Sequence, residues 1–147
     1  PKVPNFTPEK NSFKIGKGIL LNEGSDVTII ATGHLVWESL KAAEGLFKKG
    51  ISAEVINIHT IKPLDEEIII NSVSKTKAVV TAEEHNIYGG LGESVSRTLS
   101  VNLPSPQEFV GTNDTFGESG TPSQLMEKYG LSSKNIITKV EKVLKRK

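Results

Sequence analysis

Residues 78–93 read AVVTAEEHNIYGGLGE: an apolar run ends in two carboxylates and a histidine before glycines introduce a helix. This order predicts a strand, a charged loop end and a glycine-rich turn. In an open α/β sheet, ligands and partners meet the fold at the carboxyl ends of the strands. We therefore expect this segment to lie on the functional face of the domain.

The three glycines of this stretch raise the question of a phosphate-binding loop, because backbone N–H groups at a helix N-terminus attract anions. Neither common phosphate-loop pattern fits their spacing, no lysine follows them, and the nearby glutamates would repel a phosphate. The favoured interpretation is a tight turn with close packing of helix on sheet. We expect Gly89 or Gly90 to adopt a backbone conformation closed to a β-branched residue.

Alternating apolar runs and helical periodicities predict a three-layer α/β/α sandwich, with a mainly parallel sheet of about five strands. A βαβ unit should open it, because a buried strand at 26–31 is followed by a helical pattern and a second strand. An antiparallel edge strand is possible at residues 16–21. Further elements are expected as helices over 35–49, 66–74 and 90–99, strands over 52–58 and 107–111, and helices starting at 122 and at 132 or 133.

The helix over 35–49 shows two distinct rows of side chains. Its apolar row is expected to face the core and consists of Val36, Leu40, Ala43 and Phe47, widened by Leu35, Ala42 and Leu46. Trp37 falls instead on a polar row, off the core stripe. A large aromatic residue in that place either marks a contact surface or is partly buried against the next helix.

Composition limits the function. A chain of 147 residues with a formal net charge of +1 predicts one domain and gives no field that would recruit nucleic acid or a membrane. It contains no cysteine, and its three histidines lack the spacing of a structural zinc site. No leader or membrane span is recognisable, so we expect a cytoplasmic protein.

The beginning of the chain is rich in proline and starts with Pro1. We interpret residues 1–14 as a linker from an upstream domain, and residues 15–147 as the folded domain. The chain is thus expected to be a piece of a longer protein.

Three histidines are expected near one edge of the sheet, since His34, His59 and His85 each follow or end a predicted strand. Such a cluster suits proton transfer, but no nucleophile elbow, cysteine or compact carboxylate set accompanies it. A self-contained hydrolase is therefore disfavoured. Glu83 and Glu84 would act as general bases only if buried; we favour one at a domain contact and the other in solvent.

Several motifs in order resemble the C-terminal domain of transketolases. The strongest is EEHNIYGGLGE at 83–93, preceded by NIHTIKPLD at 57–65 and by GSDVTIIATGH at 24–34. The resemblance extends to DTFGESG at 114–120 and KYGL at 128–131, and so covers nearly the whole chain. From the residues alone, the roles of Asp114 and Glu118 in that loop are unknown.

The resemblance implies a part of an enzyme of the split type, in which cofactor-binding and C-terminal parts are separate chains. The whole enzyme would use thiamine diphosphate and a divalent metal, Mg, to move a two-carbon ketol unit between sugar phosphates. The diphosphate-binding Gly-Asp-Gly…Asn motif is absent from this chain. The resemblance therefore transfers no catalytic, cofactor-binding or metal-binding residue to it.

What remains for this domain is assembly. It would brace an upstream pyrimidine-binding domain, contact a cofactor-binding domain or subunit, and join a homo-oligomer or heterotetramer. The residues expected at an interface or beside the substrate channel are Trp37, Glu84, His85, Asn86, Gly89 and Gly90.

Two alternatives stay open. The same domain occurs in 1-deoxyxylulose-5-phosphate synthase and in the 2-oxo acid dehydrogenase E1 β-subunit, although residues 81–86 and 61–65 look nearest to transketolase. A different class is an independent regulatory domain that binds a small ligand or nucleotide.

Overall fold

The computed structural model describes residues 3–6, 13–115 and 117–147. Part of the predicted linker over 1–14 lies outside these ranges, so the division at residue 14 stays a prediction. No helix in the described ranges combines the length and the apolar character needed to cross a membrane.

Strands and helices alternate along the described chain, as expected for an α/β sandwich. The strands are β1 (Ile19–Asn22), β2 (Val27–Ala31), β3 (Ala53–Asn57), β4 (Val79–Asn86) and β5 (Gln107–Thr112). The helices are α1 (Leu35–Phe47), α2 (Glu66–Thr76), α3 (Leu91–Asn102), α4 (Pro122–Lys128) and α5 (Ser133–Leu144).

The strands form one mixed sheet in the order β1-β3-β2-β4-β5. β2, β3, β4 and β5 pair in parallel, while β1 pairs with β3 in antiparallel, with Ile19 opposite Asn57. The predicted edge strand is thus confirmed, although it begins at Ile19 rather than at Gly16. β2 is central and all five of its residues are buried, which explains its continuous apolar run.

Helices cover the sheet on both faces. Side chains of β2 alternate between two cores: Ile29 belongs to the core that includes residues of α1 and α5, and Ile30 to the core that includes residues of α2 and α3. The three-layer prediction is therefore confirmed. Near the end of the chain, Met126 of α4 and Leu131 also pack on the first core.

Two predicted details are wrong. Phe47 does not belong to the core row of α1 and is 76% exposed, because the buried face is centred on Leu35, Ala42 and Leu46, the side of the predicted stripe away from Phe47. The charged end of residues 78–86 was predicted as a loop, but β4 continues to Asn86. It does so because Asn86 pairs with Thr112 of β5 after an irregularity in the ladder.

An ion cluster fastens α5 to β5. The buried carboxylate of Glu108 accepts hydrogen bonds from Arg146 at 2.7 Å, Lys142 at 3.0 Å and Lys139 at 3.4 Å. Burial acts to raise the pKa of Glu108, but the hydrogen bonds from Lys142, Arg146 and Lys139 outweigh it. The pKa of this carboxyl therefore lies below its ordinary value.

We expect Glu108→Gln to lower the free energy of unfolding by about 1.5–3 kcal/mol at neutral pH, since charge-assisted hydrogen bonds to a buried group are lost. Folding lowers the pKa of Glu108. The stabilisation is therefore complete above the pKa that this carboxyl has in the unfolded chain, about 4. It is lost as the pH falls through the lower pKa of the folded state. Urea unfolding of both proteins at neutral and acidic pH measures the difference.

The control is Glu141→Gln, because Glu141 pairs with Lys49 at 2.6 Å on the surface, where both side chains are about half exposed. That change should cost less than about 1 kcal/mol at any pH. A Glu108→Gln deficit that stays constant into the acid range would contradict the role given to the charge.

Candidate functional site

The order of the sheet creates a crevice at its carboxyl edge. From β2 the chain moves to β3 on one side and then to β4 on the other, so the winding direction reverses between β2 and β4. Such switch points are where open α/β sheets bind ligands. A cavity of about 350 Å³ lies there, lined by Thr32, Gly33, Ile61, Glu83, Glu84, His85, Gly89 and Gly90.

Glu83 forms the floor of this crevice. It lies on β4, is only 2% exposed, and accepts hydrogen bonds from the backbone N–H groups of Leu91 and Gly92, each at 2.8 Å. These are the first two amides of α3, so the carboxylate satisfies orphan donors and complements the positive end of the helix dipole. Glu83 therefore differs from the expectation of a domain contact: its carboxylate is used inside the domain. Glu84 is exposed.

The two glycines before α3 are required for different reasons. Gly89 has φ +76°, the left-handed conformation that β-branched residues avoid, so that expectation is confirmed for Gly89. Gly90 has φ −103° but lies on Glu83: a Cβ at this position would be 2.0 Å from Glu83 Oε2. Gly90 thus permits close approach rather than an unusual backbone angle.

The exposed wall of the crevice carries His85. Its ring is 62% exposed, and Nδ1 lies 2.8 Å from the carbonyl oxygen of Asn86 and 4.0 Å from Glu83 Oε2. Because a carbonyl only accepts, Nδ1 carries the hydrogen in this contact. Nε2 is then an acceptor in the neutral ring and a donor in the protonated ring, and either suits a polar partner.

Asn86 joins two loops instead of lining the crevice. Its amide donates to Asp114 Oδ1 at 3.0 Å, and its side-chain oxygen accepts from the N–H of Tyr88 at 3.0 Å. Asp114 therefore has a local structural partner, and Glu118 likewise pairs with Lys128 at 2.6 Å. Sequence reasoning missed Tyr88, which is 60% exposed beside the site, and Ile61, which lines it.

Trp37 lies at a separate place. It lines a second cavity of about 730 Å³, together with His34 and residues of α4 and α5. Its ring is partly buried and stacks on Phe6, with ring centroids 5.8 Å apart and an angle of 17° between the planes. The six predicted residues thus fall into three places. Glu84, His85, Gly89 and Gly90 line the crevice, Asn86 links two loops, and Trp37 lines the other cavity.

The three histidines share the edge but not a site. His34 lines the larger cavity and His85 the crevice. His59 contacts the beginning of the chain: its Nε2 is 2.9 Å from the carbonyl oxygen of Lys14, and its ring meets Phe13 edge to face at 4.9 Å. The structure gives them three different surroundings, so they do not form a joint proton-transfer site.

Two carboxylates of the chain already accept hydrogen bonds from backbone amides at the start of α3. Leu91 and Gly92 donate to Glu83, and Gly89 donates to Glu93 Oε2 at 2.9 Å. In the described part of the chain, no group of three or more His, Asp or Glu side chains is arranged to hold a metal ion.

Residues 16–136 match the family of transketolase C-terminal domains, which is most of the chain. This chain belongs to that family. A 6-deoxy-6-sulfo-D-fructose transketolase subunit, SqwH, from Clostridium sp. (strain MSTE9) is 50% identical over 139 residues, which are 95% of this chain and 43% of the relative.

Two further comparisons place this transketolase C-terminal domain among its relatives. A solved structure described as a split gene transketolase, inactive beta4 tetramer, has a TM-score of 0.93 and 45% identity over 97% of this chain and 47% of that one. A 1-deoxy-D-xylulose-5-phosphate synthase from Heliobacterium modesticaldum is 39% identical over 87% of this chain and 20% of its own length. The chain spans less than half the length of these relatives.

The contact of Gly90 with Glu83 predicts a coupled effect. Gly90→Ala should lower the free energy of unfolding by about 1–3 kcal/mol, because the new Cβ overlaps the buried carboxylate. In a Glu83→Ala background the same change should cost much less, since the overlapping group is gone. A double-mutant cycle by urea unfolding measures this coupling.

Two glycine variants serve as controls. Gly89→Ala should cost about 1–2 kcal/mol from backbone strain alone, and equally in both backgrounds. Gly117→Ala, in open space and without a positive φ, should be close to neutral. Equal costs of Gly90→Ala with and without Glu83 would contradict the close-approach explanation.

Proposed function

We propose that this chain is the C-terminal part of a split transketolase. The whole enzyme would use thiamine diphosphate and a divalent metal to transfer a two-carbon ketol unit between sugar phosphates. Family membership supports this, as does the 45% identity to a structure described as a split gene transketolase. In this proposal no catalytic, cofactor-binding or metal-binding residue comes from this chain, and its location is cytoplasmic.

The role of this part is assembly through its carboxyl edge. One observation carries the proposal: the amides of Leu91 and Gly92 at the start of α3 are bonded to Glu83, and the amide of Gly89 just before it is bonded to Glu93, at 2.8–2.9 Å. A diphosphate would have to displace two carboxylates of the same chain. Beside them, Glu84, His85 and Tyr88 are exposed and carry charge, hydrogen-bonding groups and an aromatic ring, the mixture found at protein interfaces.

The proposed partners are a pyrimidine-binding domain and a cofactor-binding domain or subunit. The related structure is described as a tetramer of one kind of subunit, and this supports a homo-oligomer or heterotetramer for the complete enzyme. Glu84, His85, Gly89 and Gly90 would border that interface or the substrate channel. Asn86 would act by holding the adjoining loop through Asp114.

A second assignment is kept because relatives at 39% identity are 1-deoxy-D-xylulose-5-phosphate synthases. The same domain would then assist a synthase instead of a ketol transferase. Sequencing the gene upstream of Pro1, and searching for a separate cofactor-binding chain, distinguishes a fused synthase from a split transketolase. An independent small-ligand domain is disfavoured, because residues 16–136 match the transketolase C-terminal family.

The chain alone should not bind the cofactor. Calorimetric titration of the 147-residue protein with thiamine diphosphate and Mg²⁺ is expected to give only heats of dilution, because the described residues hold no carboxylate set for the metal. The reconstituted enzyme serves as the positive control. Saturable micromolar binding by this chain alone would overturn the assignment.

His85→Ala is expected to weaken assembly rather than chemistry. In the enzyme reconstituted with its cofactor-binding partner, the variant should need more protein or cofactor to saturate, while turnover at saturation stays within about tenfold of the wild type. Loss of a general acid or base typically lowers turnover by about 10²–10⁴-fold. Sedimentation and steady-state kinetics at several protein concentrations separate the two.

His34→Ala is the matched control, because His34 lines the other cavity and not the crevice. It should leave assembly through the crevice unchanged. Normal sedimentation and cofactor saturation of His85→Ala, with turnover reduced about a thousandfold, would assign His85 to the chemistry and overturn the interface role.

A further inference from the structure

The larger cavity, next to α1, is a groove that the proposed function does not use. It lies between the first turn of α1 and the region of α4 and α5, and its volume is about 730 Å³. Trp37 and Met126 supply apolar surface, and Lys41, which pairs with the buried Glu38 at 2.6 Å, adds a charge at the rim. This combination suits an extended peptide with an apolar anchor.

A segment of the same chain already contacts this groove. Phe6 stacks on Trp37 at 5.8 Å and packs against the core on the side of α1 and α5, and Val3 lines the cavity. Offset stacking of two aromatic rings adds to the area they bury. Lys41 Nζ lies 6.0 Å from the Trp37 ring centroid, so the indole is covered from more than one direction.

The segment is suited to this contact by its sequence. Pro4 fixes one backbone angle, so less conformational entropy is lost when the segment becomes ordered. A second aromatic contact follows seven residues later, where Phe13 meets His59 and the carbonyl of Lys14 accepts from that ring. The beginning of the chain thus touches the domain at two aromatic points.

We infer that the groove at Trp37 is the docking site of residues 3–6, and that it fixes the direction from which the preceding part of the enzyme joins this domain. Trp37 is then a contact for the chain's own leading segment instead of a subunit contact. Residues 3–6 precede the range matched by the family. The docking of residues 3–6 stands on the Phe6–Trp37 geometry, while the direction of a preceding part rests on the proposed function.

The test uses Trp37 fluorescence, because Trp37 is the only tryptophan in the chain. Phe6→Ala should shift its emission to longer wavelength and raise its quenching by acrylamide, with the undocked fraction increasing by about two- to tenfold, the scale of one aromatic pair. Phe6→Tyr keeps a ring and should restore the wild-type signal. Val3→Asp, a surface change at the other end of the segment, should change quenching in the same direction as Phe6→Ala.

The matched control is Phe47→Ala, the same substitution at a phenylalanine that is 76% exposed on the same helix as Trp37. It should leave emission and quenching unchanged. Wild-type quenching in Phe6→Ala and Val3→Asp would overturn the inference. So would quenching that depends on protein concentration equally in wild type and Phe6→Ala, because Trp37 would then be covered by another molecule.

Discussion

The buried Glu83 carboxylate, bonded to the first two amides of α3, is the interaction on which the geometry of the carboxyl edge depends. A buried carboxylate is costly unless it is paired, and here two charge-assisted hydrogen bonds and the helix dipole offset that cost. The contact fixes where α3 begins relative to β4. It also requires a residue without a side chain at position 90, so the form of the crevice follows from one carboxylate.

This interaction has a consequence for ligands. In many α/β folds the same place, where a strand ends and a helix begins beside the switch point, presents unpaired amides to a phosphate. Here Glu83 and Glu93 accept hydrogen bonds from three of the amides in this region, those of Gly89, Leu91 and Gly92. The side chains of Glu84, His85 and Tyr88 are exposed at this edge. They support the proposal that the domain contributes contacts to a cofactor site formed by another domain or subunit.

The sheet was predictable because its signals are local: the apolar run of β2, the helical period of α1 and the glycine-rich turn each lie within a few residues. The contacts that shape the site were less accessible. The bonds from Glu83 to α3 depend on how the turn after β4 places the first residues of the helix over the strand. The extension of β4 to Asn86 includes pairing with Thr112, a residue remote in sequence. Phe47 shows the same limit, since a small rotation of α1 about its axis decides which apolar residue is left outside.

The histidines show why position along a sheet edge does not determine chemistry. His34, His59 and His85 all follow or end strands, as expected, yet one lines a groove, one holds Phe13 and Lys14, and one faces the crevice. The end of a strand fixes the position of a side chain at the edge of the sheet. The segments that pack across that edge determine which groups the side chain contacts. For His59 and for Trp37, the neighbourhood therefore includes residues from the first part of the chain. A residue's place in the topology becomes a functional argument only when the segments packed over it are known.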